Sequence, residues 1–229
     1  MLLFKQETGE PVCILLDEGN LTDVRTAVAG AIAARHLAPK KIERIGIVGT
    51  GIQARLQLRY LKEVTSCKNV LVWGRGEEQI EKYRKVMEAE GFSIKGTKAA
   101  SEVLLSCNLI VTTTPSKAPL LFAPGLQNGT HITAVGSDTP NKQELDSEIL
   151  ERADVVVADS ISQCLERGEI FQAINTGKIK REDLLELGNV ISGAVGGRTS
   201  EDQITIADLT GVAVQDMTIA TAVFGKTVK

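Results

Sequence analysis

Residues 44–54 read Arg-Ile-Gly-Ile-Val-Gly-Thr-Gly-Ile-Gln-Ala. A short β-branched run empties here into Gly49-x-Gly51-x-x-Ala54 and then into a polar-rich helical stretch over 55–64, which is the order of a strand, a tight turn and a helix start. Gly49 suits the turn, Gly51 lets another group approach the backbone, and small Ala54 lets the helix sit close to the strand. The free N–H groups of such a helix start face an anion, so the pattern predicts a dinucleotide pyrophosphate over residues 49–54. The same glycines also fit an ordinary α/β turn with nothing bound.

Strand-sized runs recur at 45–48, 70–73, 109–113, 131–135 and 155–158, separated by helical or turn-rich stretches. That βαβ rhythm predicts an α/β fold with a doubly wound, Rossmann-type, mostly parallel sheet covered on both faces. Residues 77–90 carry charges at helical spacing between Ile80, Tyr83, Val86 and Met87, as a crossover helix would. Outside the sheet, 1–17 reads as a hairpin around the polar turn 6–11, and Thr22 stands where it could cap a helix ending at Leu37 before Pro39. Residues 204–207 read as a further strand and 212–224 as a helix. The expected division is a remnant of a substrate and dimerisation domain over 1–35, a nucleotide-binding domain over 36–200, and a return to the first domain over 201–229.

The chain has 229 residues, 43% hydrophobic and 24% charged, enough for one full domain with a partial second. With a net charge of −3 and no basic block interleaved with aromatics, nothing predicts a nucleic-acid or membrane-surface partner. No apolar run is long enough to span a bilayer, and Met1-Leu2-Leu3-Phe4-Lys5 lacks the layout of a signal peptide, so the expected place is the cytoplasm. Cys13, Cys67, Cys107 and Cys164 form no Cys-x-x-Cys pair, and His36 and His131 are far apart, so no metal site or disulfide framework is expected.

At the end of the second strand a carboxylate would hold both ribose hydroxyls of NAD, but this chain has Val72-Trp73-Gly74-Arg75-Gly76. The planar fork of Arg75 suits a 2′-phosphate, which favours NADP(H) over NAD(H). An exposed arginine beside an NAD site is the alternative, since Glu77 and Glu78 follow closely. Thr112, Thr113 and Thr114 end the third strand where ligands of open α/β sheets sit, although β-propensity alone also favours threonine there. In Ala134-Val135-Gly136-Ser137-Asp138-Thr139-Pro140 an apolar strand delivers Asp138 to the same edge. A carboxylate there can exchange the proton that accompanies hydride transfer at an amine-bearing carbon, and aspartate is equally a common turn residue.

Taken in order, Thr22-x-x-Arg25-Thr26, Gly49-Thr50-Gly51-Ile52-Gln53-Ala54, the stretch from Ala134 through Asp138 and Lys142 to Leu145, and Asp208-Leu209-Thr210-Gly211-x-Ala213-x-Gln215-Asp216 resemble the ornithine cyclodeaminase and mu-crystallin family nearly end to end. The resemblance implies a nicotinamide-binding domain, a dimerising substrate domain and a likeness to enzymes that interconvert amino acids with imino or keto acids. It makes Asp138 the general acid/base and sets Arg25 by the cofactor and the substrate carboxylate. Ile52 and Gln53 would touch the pyrophosphate, Thr114, Val135, Gly136 and Lys142 would lie near the cofactor, and Thr210 close to the substrate.

The resemblance also implies a segment ahead of the hairpin that supplies a lysine and an arginine to the substrate; with Met1 falling after it, the expectation is either a truncated, catalytically crippled protein or a site completed by a partner chain or by upstream sequence. The resulting expectation is an NAD(P)-dependent amino- or imino-acid oxidoreductase, a ketimine or cyclic-imine reductase or an amino-acid dehydrogenase, working as a homodimer on a small amino or imino acid. The alternatives are an ornithine cyclodeaminase recycling NAD to make proline and ammonia, and a truncated NADP(H)-binding protein without turnover.

Overall fold

The computed structural model describes residues 1–227. An antiparallel hairpin, β1 (Leu2–Phe4) and β2 (Pro11–Ile14), precedes helix α1 (Asn20–Leu37), which stops where Ala38 turns extended ahead of Pro39. The start of α1 differs from expectation. Thr22 lies inside the first turn, and the Leu21 N–H donates to the Asp17 carboxylate at 2.7 Å. Gly19, at φ 87°, makes the left-handed bend that brings Asp17 over the helix end, so the aspartate takes the role expected of Thr22.

Eight further strands form one sheet: β3 (Ile45–Val48), β4 (Asn69–Trp73), β5 (Ser93–Thr97), β6 (Leu109–Thr112), β7 (His131–Ala134), β8 (Val155–Ala158), β9 (Leu184–Glu186) and β10 (Thr205–Asp208). Their spatial order is β5-β4-β3-β6-β7-β10-β8-β9, and every neighbouring pair is parallel. Parallel pairing obliges the chain to cross back after each strand, and helices do most of the crossing. These are α2 (Ile52–Tyr60), α3 (Glu77–Ala89), α4 (Ala100–Ser106), α5 (Ser147–Glu151), α6 (Ile161–Cys164), α7 (Glu169–Asn175) and α8 (Leu187–Ile191); α9 (Ala213–Thr227) follows the last strand.

The alternation of side chains along each strand sorts the core into two layers. Ile45, Ile47, Leu109, Val111, Val155 and Val157 face α1, α2, α3 and α8, whereas Ile110, Ile132, Val156 and Ile206 face α4, α5 and α7. Both faces are therefore covered, and β3, β6, β7, β8 and β10 are buried along their whole length; β3, β6 and β8 read as nearly continuous hydrophobic runs, whereas β7 and β10 carry the buried polar residues His131, Thr133, Thr205 and Asp208.

One placement corrects the sequence reading. The strand foreseen at 204–207 and assigned to the returning chain end sits inside the large sheet, hydrogen-bonded to β7 on one side and β8 on the other. Ile206 pairs in register with Ile132 and Val156 and packs on one face of the sheet while Ala207 packs on the other, and a strand buried on both faces belongs at the middle of a sheet rather than in a small flanking layer. Residues 205–208 are thus part of the eight-stranded sheet. Strands β5 and β9, at the two edges, were not foreseen, because Lys95, Gly96 and Glu186 dilute their apolar pattern.

His131 opens β7, as expected, and is sealed in the sheet. Its Nδ1 and Nε2 meet the hydroxyls of Thr205 at 2.8 Å and Thr133 at 2.9 Å, and burial pushes the ring pKa down to about 3, so it is a neutral core residue. All four cysteines are free thiols. No helix among the described residues is long and apolar enough to cross a membrane.

If β10 is central, Ile206→Ala should cost about 2–5 kcal/mol of unfolding free energy, by lost transfer and the cavity left behind. Val86→Ala, on the outer side of α3, should cost much less. Urea denaturation of the two variants tests the placement, and equal small losses would contradict it.

Candidate active site

All the parallel strands present their carboxyl ends at one edge, and the loops leaving β3, β4 and β6 enclose a crevice of about 310 Å³ there. Gly49, Thr50 and Gly51 form one wall, Trp73, Gly74 and Arg75 a second, and Thr113, Thr114, Pro115 and Ser116 a third. A second hollow of about 210 Å³ shares Thr113, Thr114 and Pro115 and adds Gln53, Val135, Gly136, Asp138 and Lys142. The two adjoin at the β6 loop, which lines both, and together they make up a track of two hollows with Arg75 on one and Asp138 on the other.

Two glycines in the first turn do different work. Gly49 has φ 123°, and a Cβ there would stand 2.5 Å from Thr113 Oγ1, so the fold itself requires glycine. Gly51 has an ordinary negative φ, and a Cβ there would meet no protein atom within 4 Å. The space beside Gly51 is therefore clear for a ligand that must touch the backbone. It caps α2, whose start has no side-chain cap and no acidic residue in its first turn, so its N–H groups and positive dipole end suit an anion. Buried Ala54 lies against the sheet and its carbonyl accepts the Tyr83 hydroxyl at 3.2 Å. These observations fit a dinucleotide pyrophosphate over the turn.

At the far end of β4, Arg75 is exposed, and its guanidinium makes no hydrogen bond or ion pair among the described residues. The nearby carboxylates are engaged elsewhere, Glu77 with Lys98 at 2.5 Å and Glu78 with Lys82 at 2.7 Å. On the opposite flank, Lys142 Nζ donates to Asp138 Oδ1 at 2.6 Å, and the aspartate side chain remains 55% exposed. Gln53 lines the second hollow, but its side-chain amide donates to the Asp23 carbonyl at 3.1 Å and carboxylate at 3.0 Å, fastening α2 to α1. Ile52, the first residue of α2, is exposed.

Arg25 and Thr210 form a separate cluster. Arg25 donates from Nε to Asp216 at 3.0 Å and from Nη1 to Gln215 at 3.1 Å, both on α9. Thr210 Oγ1 and the Gly211 N–H bind the two oxygens of Asp159 at 3.2 and 2.7 Å, and a Cβ on Gly211 would stand 3.0 Å from Arg25 Nη1. Arg25 and Asp159 line an apolar cavity of about 490 Å³ between α1, α8 and α9, not the track that holds Asp138.

The residue types that sequence reasoning passed over are buried carboxylates. Glu144 and Glu169 lie beneath the β7 loop, and burial pushes both up to about 7 despite the N–H groups they accept. Asp208, at the end of β10, is raised well above the usual carboxylate range by burial and by nearby Glu169, and accepts the Ile170 N–H at 2.8 Å. For two of them a signal was available: Asp208 ends the run 204–207 and Glu169 precedes Ile170-Phe171, whereas Glu144 stands in a polar stretch with only Leu145 beside it.

A doubly wound sheet with a bare helix start and a glycine turn at its carboxyl edge defines a protein of the dinucleotide-binding α/β class. Within that class, all of residues 1–229 match the ornithine cyclodeaminase/mu-crystallin family, and the chain belongs to it. It is 45% identical over 226 residues to an uncharacterised cyclodeaminase of Sinorhizobium fredii, covering 98% of this chain and 68% of that one. Among solved structures it superposes with TM-score 0.94 on an archaeal alanine dehydrogenase dimer with bound NAD, at 39% identity over 99% of this chain and 70% of that one. It superposes with TM-score 0.93 on the Thermococcus litoralis Δ1-pyrroline-2-carboxylate reductase in complex with NADH and L-proline, at 28% identity, covering 99% of this chain and 71% of the other.

The contrast between the two glycines is testable. Gly49→Ala should lower unfolding free energy by about 1–3 kcal/mol through backbone strain. Gly51→Ala should leave thermal stability nearly unchanged while weakening NADH binding by about tenfold or more, each 1.4 kcal/mol of lost contact being one decade. Thermal unfolding and titration of Trp73 emission, the chain's one tryptophan, read the two effects separately.

Proposed function

We propose that this chain binds a nicotinamide dinucleotide along the track from Arg75 to Asp138 and serves in hydride transfer at the α-carbon of a small amino or imino acid. The observation that carries the reading is the shared β6 loop, which joins an anion-ready helix start to an exposed carboxylate across two adjoining hollows. Backbone N–H groups after Gly51 would hold the pyrophosphate, and the loops of Thr114, Val135 and Gly136 would flank the nicotinamide half. When bound, the cofactor supplies or accepts the hydride. Asp138 holds or releases the proton that must move at the substrate nitrogen, with Lys142 orienting its carboxylate. A substrate reaching from Asp138 to the cluster of Arg25 and Thr210 would meet Arg25 Nη2, which has no partner among the described residues, and its carboxylate would accept a charge-assisted bond there.

The reductase or dehydrogenase direction is supported by alanine dehydrogenase and pyrroline-carboxylate reductase relatives, and by Arg75, whose unpaired guanidinium suits the 2′-phosphate of NADPH. Both solved relatives described above hold NAD or NADH, so the cofactor choice is a point on which this chain would differ. Cyclodeaminase activity is the second reading, supported by the 45% identity to a protein named as an uncharacterised cyclodeaminase.

The hairpin and α9 fit part of a substrate and dimerisation unit. The hairpin exposes Leu2, Phe4, Ile14 and Leu16, an apolar surface that a second subunit would cover, and one solved relative is a dimer. The four free thiols fit a cytoplasmic setting.

Arg75→Gln should weaken NADPH binding by about tenfold or more and leave NADH binding within about twofold, because only the phosphate contact is lost. Equal loss for both nucleotides, or none for either, would contradict the phosphate role. Asp138→Asn should retain NADH affinity while NAD(P)H-dependent reduction of cyclic imines falls by about 100-fold or more, the usual worth of a general acid/base. Retained turnover in that variant would remove Asp138 from the mechanism.

A further inference from the structure

The hydrogen-bond ladder between β6 and β7 ends just short of the site. Its last rung runs from the Val135 N–H to the Thr112 carbonyl at 3.0 Å, and beyond it the two chains separate to form the loops that line the track. The next backbone donors on these loops, at Thr114 and Gly136, have lost their ladder partners. One side chain supplies both. Glu144 is fully buried, its Oε1 accepting the Thr114 N–H at 2.5 Å and its Oε2 the Gly136 N–H at 3.0 Å. The loops meet so closely that a Cβ on Gly136 would collide with the Thr114 carbonyl and the Glu144 carboxylate.

Glu144 is itself held. Its N–H donates to Glu169 Oε1 at 2.8 Å, the Leu145 N–H to Glu169 Oε2 at 3.1 Å, and the Ser137 hydroxyl also donates to Glu169 Oε1. The Glu144 carbonyl accepts the N–H groups of Leu120 and Leu121 at 2.8 and 3.1 Å. The loop that exposes Asp138 and Lys142 is thereby closed at both ends by buried carboxylates. Two acids in an apolar layer cost more than hydrocarbon of the same volume would, so their presence calls for a reason beyond stability. A carboxylate offers what no apolar side chain can, two acceptors at a fixed spacing in one rigid plane.

We propose that Glu144 is a positioning residue: it clasps the β6 and β7 loops at a set separation beneath the nucleotide track and, through Glu169, fixes the loop that carries Asp138. The inference rests on the nucleotide reading above and extends it from the residues that touch the track to the one that sets its width. Thr114 borders both hollows, so movement of its backbone alters the crevice at Gly51 and the hollow at Asp138 together.

Glu144→Gln preserves shape but turns one acceptor into an NH2 donor, which releases one of the two loops. NADH titration against Trp73 emission should show affinity reduced about tenfold, in line with a lost charged hydrogen bond. Hydrogen exchange at the Thr114 and Gly136 amides should quicken by a similar factor. The control is Ile206→Ala, which weakens the fold away from the track and should keep NADH affinity unchanged. Should Glu144→Gln fail to fold, the unaltered protein carries the test, since a common clasp makes the Thr114 and Gly136 amides exchange at similar, protected rates. Unchanged NADH affinity in folded Glu144→Gln, or widely different exchange rates for the two amides, overturns the clasp alone. No Trp73 response to NADH or NADPH in the unaltered protein overturns the nucleotide reading and the clasp with it.

Discussion

Parallel pairing across all eight strands of the large sheet is the constraint on which the rest depends. It points every carboxyl end the same way, so loops far apart in sequence gather along one edge, and it forces a crossover after every strand, which covers both faces. The apolar runs and the location of the track are two results of that geometry. Residues as distant as Gly51, Arg75, Thr114 and Asp138 border two hollows that meet at the β6 loop because β3, β4, β6 and β7 lie side by side in the sheet.

The edge is also where the fold tolerates polarity. Ladder hydrogen bonds end there, leaving N–H groups that need acceptors, and the chain answers in two ways. At α2 the orphan donors stay bare beside Gly51, which is the state a pyrophosphate requires. Below the β7 loop they are taken by Glu144 and Glu169, whose burial holds their carboxyls near 7. Asp159 does the same for the turn at Thr210 and Gly211. One part of the edge is thus left receptive and another is braced.

Family membership accounts for the order of the motifs but not for each side chain's present partner. Arg25 is bound to Asp216 and Gln215 on α9 and faces the apolar cavity between α1, α8 and α9, and Gln53 spends its amide on Asp23. In both cases the motif residue fastens one helix to another. Arg25 and the Thr210 turn lie together, as the motif order implies, yet they meet outside the track that holds Asp138.

The sequence by itself determined the βαβ rhythm, the glycine turn, the arginine at the tip of β4 and the aspartate after β7, because each is written in a contiguous stretch whose periodicity or turn chemistry is local. Only the tertiary structure decided that β10 enters the middle of the sheet, that Asp17 rather than Thr22 serves the start of α1, that the edge strands β5 and β9 exist, and that Glu144 joins two loops. The difference is physical: strand order, edge pairing and buried carboxylate partners depend on which distant surfaces meet, and no stretch of chain carries that information before it folds.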